Sequence, residues 1–243
     1  MDPLEEVVHA VQKAKWGLAF TGAGISVESG IPDFRSENGL WSKYPIEEYA
    51  TREAFFENPE KFWRFYIQLV QEMRDKLPNP AHFFLAKLEE KGMLQGVITQ
   101  NIDMLHRKGG SKNIVELHGR ADWADCPVCQ KSYPLHLETL THPPKCKECG
   151  EYLKPQVVLF GDFLPTGEWE KAYRMLQSCD LLIVIGTSAL VEPAASLPLV
   201  AKGHGAALIQ IDIQPNHLSK RADIFIQGKA GEIGQKLIDK MGI

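Results

Sequence analysis

The chain has 243 residues, 44% of them apolar and 24% charged, with a mean hydropathy of −0.20, a composition that excludes a polar disordered chain. Twenty glycines and 15 prolines are too few for a fibrous or low-complexity protein. A formal charge of −4 leaves no global positive field to recruit nucleic acid.

At roughly 150 residues per domain, this length predicts one large domain or a domain plus a small module. The first helix is set by Asp2 as its cap and Pro3 at its first position. Glu5 and Glu6 sit in its first turn, Lys13 and Lys15 near its end, and Gly17 stops it. Leu4, Val7, Val8, Val11 and Ala14 make its apolar stripe. Short apolar strands are predicted over 18–21, 97–99, 114–117, 157–160, 181–185 and 207–211. Helices are predicted over 79–88, from about 166, over 193–202 and over 230–241. Buried strands alternating with helices predict an α/β fold: a doubly wound parallel, Rossmann-like sheet covered on both faces. Ligands bind such sheets beyond the carboxyl ends of the strands.

Two stretches interrupt the alternation. Residues 37–78 are rich in aromatics and carry a predicted helix from 58 to about 77, and residues 121–155 hold four paired cysteines. They read as a helical insert and a zinc-ribbon module that together form a smaller lobe. The large nucleotide-binding domain is then expected from 1–36, 79–120 and 156–243.

Cys126, Cys129, Cys146 and Cys149 follow the pattern C-x2-C-x16-C-x2-C. Two residues between thiolates let one turn aim both sulfurs at one ion, and two turns complete a tetrahedral shell. The pattern predicts one structural Zn2+ in preference to disulfides or free thiols. Residues 121–155 hold four lysines, no arginine and five acids, so the module lacks the charge that phosphate contacts need. Cys179, before a buried strand, reads as a packed thiol.

Gly22 and Gly24 follow the first strand and permit a tight turn close to a pyrophosphate. The third glycine of the usual dinucleotide fingerprint is absent, with Val27 in its place, so this signal alone is weak. Further polar clusters occur at Asp33-Phe34-Arg35, Gln100-Asn101-Ile102-Asp103, His118-Gly119 and Gly186-Thr187-Ser188. All but the first directly follow predicted strands.

Together these residues resemble the sirtuin family of NAD-dependent protein-lysine deacylases. The likeness rests on Gly22 through Ser26, Ser29 through Arg35, Thr99 through Asp103, His118-Gly119, both cysteine pairs, Phe160-Gly161 and Gly186 through Ser188. It runs in order along essentially the whole chain. The compact length is similar to that of bacterial and archaeal members.

The resemblance implies cleavage of the nicotinamide–ribose bond of NAD and transfer of the lysine's acyl group, leaving nicotinamide, 2′-O-acetyl-ADP-ribose and free lysine. It implies His118 as the general base toward a ribose hydroxyl, a role suited to a side chain titrating near working pH. Asn101, Ile102 and Asp103 are implied at the nicotinamide pocket, and Gln100 at a ribose hydroxyl. Gly22, Ala23, Gly24 and Ser26 form the glycine loop. Phe34 is implied to shield the reactive carbon and Arg35 to contact phosphates, while Asp33 either orders the loop or touches the dinucleotide. Gly186, Thr187 and Ser188 are implied as the phosphate turn, with Lys229 and Ala230 beside the adenine. Asp212 stands where the family usually has Asn; it is expected to hold the adenosine ribose and to disfavour a 2′-phosphate.

An acyl-lysine peptide is expected to add as a strand between 158–162 and 190–193, against Val158, Phe160, Gly161, Asp162, Val191 and Glu192. Family members that remove succinyl or malonyl groups use Tyr-x-x-Arg in the helical insert; here Tyr66 is present and Leu69 replaces the arginine. The expectation is deacetylation, extending to longer apolar acyl groups, since a distal carboxylate beside Leu69 would be left unpaired. Two other readings remain: mono-ADP-ribosyl transfer, and a non-catalytic NAD-binding zinc scaffold. The expected partners are acetyl-lysine proteins or peptides, without direct nucleic-acid or membrane contact. The N-terminal stretch lacks a basic region followed by an apolar run, so a cytoplasmic protein without a signal peptide is expected. No motif sets an oligomeric state, and a monomer is compatible with the sequence.

Overall fold

The computed structural model describes residues 2–33 and 39–243, without the side chains of Trp41 and Lys43. The predicted first helix is Pro3–Lys13: the Asp2 carboxylate accepts from the Leu4 N–H at 3.2 Å, and Val7 and Val11 are buried. The strands are β1 (Gly17–Thr21), β2 (Val97–Thr99), β3 (Ile114–Glu116), β4 (Gly119–Asp125), β5 (Ser132–Pro134), β6 (Lys154–Val157), β7 (Leu181–Ile185), β8 (Ala207–Asp212) and β9 (Ile224–Gln227).

Six of them form one sheet in the order β3-β2-β1-β7-β8-β9, with every pairing parallel. The chain builds outward from β1 to β3, then returns to β7 and builds the other way. The direction reverses between β1 and β7, which opens a crevice at their carboxyl ends. Both strands are buried along their whole length because helices cover both faces. Ala19, Ile183 and Ile209 pack with helices Pro3–Lys13, Pro80–Glu90 and Ala230–Met241 on one face. Leu18, Phe20, Leu182 and Val184 pack with Leu176, Leu197 and Ala201 on the other. The two-residue period of the strands divides the side chains between these cores.

A three-stranded antiparallel sheet, β5-β4-β6, lies with helix Pro59–Arg74. Their shared core holds Phe55, Phe62, Trp63, Tyr66, Val70, Leu153 and Val157. Trp63 Nε1 donates to the Leu153 carbonyl at 2.7 Å, pinning the helix to the end of the cysteine module. Burying an apolar side chain of this size contributes about 1.5–3 kcal/mol.

The structure departs from the sequence reading in particular places. The strand expected at 157–160 is instead β6, Lys154–Val157, antiparallel to β4. Burial alternates along 153–159, the signature of a half-buried antiparallel strand rather than a fully covered parallel one. Gly119 pairs with Val157, so the small sheet extends past the boundaries expected at 120 and 156. Three strands were not anticipated: β4, β5 and the short edge strand β9. Ala23–Ser29 forms a 3-10 helix where a loop was expected. Among the described residues no helix is long and apolar enough to cross a membrane.

Candidate functional site

Loops from the carboxyl ends of β1, β2, β7 and β8 surround one cavity of about 1450 Å³. The small lobe closes its far side with Tyr49, Phe62, Phe65, Tyr66 and Leu69. The loops after β1 and β7 pack backbone on backbone: the Gly24 N–H donates to the Gly186 carbonyl at 2.8 Å. A Cβ on Gly24 would lie 2.6 Å from Gly186 Cα, and Gly186 itself has φ +60°. Only glycine permits this approach, which leaves a shallow cradle of main-chain groups.

His118 follows β3 and lines the cavity. Its Nδ1 lies 3.0 Å from the Gln100 carbonyl. A carbonyl only accepts, so Nδ1 carries the proton and Nε2 keeps its lone pair. Burial lowers the histidine's pKa, an effect only partly opposed by the Gln100 hydrogen bond. The ring is therefore a neutral base at neutral pH. Gly119 has φ +77° and its backbone presses against Gln156, so a side chain there would collide.

Asn101 is buried, and its Nδ2 donates to the Gly22 carbonyl and to Ser26 Oγ, each at 3.2 Å. Its N–H donates to Thr99 Oγ1 at 3.0 Å. Asp103 accepts from Ser26 Oγ at 2.6 Å and from the Leu105 N–H at 2.8 Å. Burial nevertheless raises the Asp103 pKa, outweighing those hydrogen bonds. Asp103 and Ser26 do not line the main cavity; they stand behind Asn101 and hold it. On the other side, Gln100 Nε2 donates to Thr187 Oγ1 at 3.0 Å, and Asn216 Nδ2 donates to the Thr187 carbonyl at 2.9 Å.

The remaining expected residues that are described all line this cavity: Gly22, Ala23, Asp33, Ile102, Ser188, Asp212 and Ala230, with Val158, Phe160, Gly161, Asp162, Val191 and Glu192. Phe34 and Arg35 lie outside the described residues. Burial raises the pKa of Asp212. The two peptide-loop residues Phe160 and Asp162 are already engaged within the chain. The Phe160 N–H donates to Ala50 at 2.9 Å, and its carbonyl accepts from Arg52 at 2.8 Å. The Asp162 carboxylate takes Lys154 Nζ at 2.6 Å, the Leu159 N–H at 3.0 Å and Arg52 at 3.8 Å. Sequence reasoning missed Glu28, Asn216 and the aromatic wall of Tyr49, Phe62 and Phe65. None of them falls in a motif; the dense aromatics of 37–78 were the nearest signal.

The four paired cysteines lie apart from the cavity lining, with their sulfurs all within 4.8 Å of one another. Cys126–Cys149 and Cys129–Cys146 are each separated by 3.4 Å. That is far beyond a disulfide bond of about 2.05 Å. It is near the edge of about 3.8 Å expected for a tetrahedron of thiolates around Zn2+. Cys179 is buried among apolar side chains, which raise its pKa to about 11.

The model of the Sir2 family matches residues 22–193. An "NAD-dependent protein deacylase" of Pyrococcus furiosus is 43% identical over 98% of each chain. A crystal structure of a Sir2 homolog–NAD complex superimposes with a TM-score of 0.92 at 41% identity, covering 98% of this chain and 93% of that one. A Sir2–p53 peptide–NAD+ structure does so with a TM-score of 0.89 at 34% identity, covering 98% of each.

Proposed function

The chain belongs to the Sir2 family, and from that premise we propose that it is an NAD-dependent protein deacylase that acts on acetyl-lysine. Nicotinamide, 2′-O-acetyl-ADP-ribose and free lysine are its products in this reading. The observation that carries it is His118, a neutral base whose Nε2 lone pair belongs to a ring lining the same cavity as Asn101, Gln100 and the glycine cradle.

The residues fit the co-substrate. Gly22, Gly24 and Gly186 leave room for a pyrophosphate against main-chain groups, and Gln100, Thr187 and Ser188 offer side-chain hydrogen bonds nearby. NAD, when bound, supplies the ribose carbon that receives the acyl oxygen. His118 Nε2 takes the proton of a ribose hydroxyl. Asn101 is the nicotinamide-side contact, held by Gly22 and Ser26, and Asp103 keeps that arrangement in register from behind. Asp33 borders the same pocket, and Asp212 and Ala230 lie at the adenosine end.

The acyl group enters past Val158 and Phe160 toward Tyr66 and Leu69. The Tyr66 hydroxyl is taken by the Ala121 carbonyl at 3.3 Å, so neither residue offers a partner to a distal carboxylate. The aromatic wall suits acetyl and longer apolar chains. Zn2+, held by Cys126, Cys129, Cys146 and Cys149, supplies a closed structural cross-link in place of a larger core. The large parallel-sheet unit then binds the dinucleotide, and the helical insert with the zinc module completes the acyl-lysine side.

The deciding experiment incubates the protein with NAD and a panel of acyl-lysine peptides and identifies products by mass spectrometry. Acetyl-lysine should turn over faster than succinyl-lysine and yield O-acetyl-ADP-ribose. ADP-ribosylated protein without that product would point instead to ADP-ribosyl transfer. No turnover of any peptide would point to a scaffold.

A further inference from the structure

At the end of the cavity bounded by β8 and the turn after β9, one contact corresponds to no sequence motif. Glu28, beyond β1, accepts the Gly231 N–H through Oε2 across 203 residues of sequence. Gly231 lies in the first turn of helix Ala230–Met241, whose 12 residues place partial positive charge there. Such a terminus attracts an anion, and the chain supplies its own. Asp212 holds the other end of the same turn, where its carbonyl accepts the Gly228 N–H at 2.9 Å. Glu28, Asp212, Gly228, Lys229 and Ala230 all line the cavity. Among the described lining residues Lys229 is the only lysine or arginine, and Glu232 holds its ammonium at 3.1 Å. This end of the cavity therefore presents two carboxylates, a helix terminus already occupied and a cation already paired.

We infer that Glu28 is a specificity-determining residue that rejects a 2′-phosphorylated dinucleotide in favour of NAD. The inference rests on the reading that places the adenosine ribose near Asp212. A 2′-phosphate would bring its charge beside the Glu28 carboxylate, where among the described lining residues the one ammonium is paired with Glu232 and the Gly231 N–H is already taken. Neutral ribose hydroxyls meet no such repulsion. Discrimination arises from the penalty against the wrong ligand rather than from an extra contact to the right one.

Glu28→Gln keeps an oxygen to accept from Gly231 and removes the charge, which separates packing from electrostatics. Dissociation constants for NAD and NADP are measured by calorimetry on the wild-type protein and E28Q, at low and high salt. The expected result is an NADP affinity raised about fivefold or more in E28Q, with NAD changed by less than about twofold. The wild-type preference for NAD should also shrink as salt rises. An unchanged NADP-to-NAD ratio in E28Q overturns the inference and leaves the cofactor reading intact. Should E28Q not fold, a wild-type preference indifferent to salt overturns it equally. Failure of the wild-type protein to bind NAD at all overturns the cofactor reading, and this inference falls with it.

Discussion

Ser26 Oγ donates to Asp103 Oδ2 at 2.6 Å, joining the glycine loop to the loop after β2 across 77 residues of sequence. Both groups are buried, and both support Asn101. Ser26→Ala should destabilise the fold by about 1–2 kcal/mol, because Asp103 loses a buried donor. Burial already raises the Asp103 pKa. A carboxylate with a raised folded pKa favours the folded state below its unfolded pKa and loses that contribution as pH rises through the folded value. The loss in S26A should therefore be larger at pH 7 than at pH 5 by denaturant titration, with a higher KM for NAD. Equal loss at both pH values would show that the pair is not electrostatically linked.

His118→Ala should lower kcat by about 10²–10⁴-fold with a small effect on NAD binding, the pattern of a lost general base. Burial holds the His118 pKa below its ordinary value near 6.5. Activity should fall only as pH drops through that lowered value. A pH–rate profile whose acid limb begins above pH 7 would contradict this assignment.

His82 and His106 are buried with ring centroids 5.0 Å apart. Burial lowers the His82 pKa to about 4 and holds that of His106 well below its usual value. A histidine with a depressed folded pKa stabilises above its unfolded pKa and loses that contribution as pH falls through the window below it. His82 should therefore cost about 2 kcal/mol of unfolding free energy between pH 7 and pH 5, and His106 acts in the same direction. The variant His82→Gln, which cannot take up a proton, should show a shallower acid decline in unfolding free energy than the wild type.

Asp162 joins Lys154 of β6, Arg52 of the helical insert and the backbone of Leu159. These contacts hold the loop 158–162 in place. Asp162→Asn should raise the KM for an acyl-lysine peptide several-fold while leaving the Kd for NAD near its wild-type value. A matched loss of NAD affinity would place the defect elsewhere.

Metal analysis of freshly purified protein should find one zinc per chain. Chelation should melt β4, β5 and β6 before the six-stranded sheet, because the cysteine module has few apolar side chains of its own. Hydrogen exchange resolved by segment reads this order directly. Uniform protection after chelation would argue that the cysteines are not a metal-dependent core.

Features that depend on neighbours in the chain were readable without coordinates. The cysteine spacing brings four sulfurs together because each pair closes a local turn, and their sulfurs do lie within 4.8 Å. The apolar runs at 181–185 and 207–211 indicated buried parallel strands because they are short, uninterrupted and alternate with helices that can cover both faces. The helix Pro3–Lys13 followed from its cap and its stripe. Glycines 22, 24 and 186 could be placed in loops, yet that they press on one another depends on β1 lying beside β7.

Long-range pairing decided the rest. The segment 157–160 is apolar enough for either sheet, and its partners at Gly119 and Thr51 determined which backbone it joined. Ser26 with Asp103, and Glu28 with Gly231, are polar pairs that carry no periodicity and no spacing rule. Composition and sequence by themselves determined an α/β chain with a four-cysteine metal module and polar loops at its strand ends. Only the tertiary structure decided which polar groups stand in the cavity and which stand behind it. Hydrogen-bond partners across 77 or 203 residues are selected by the packing of whole elements, not by local preference.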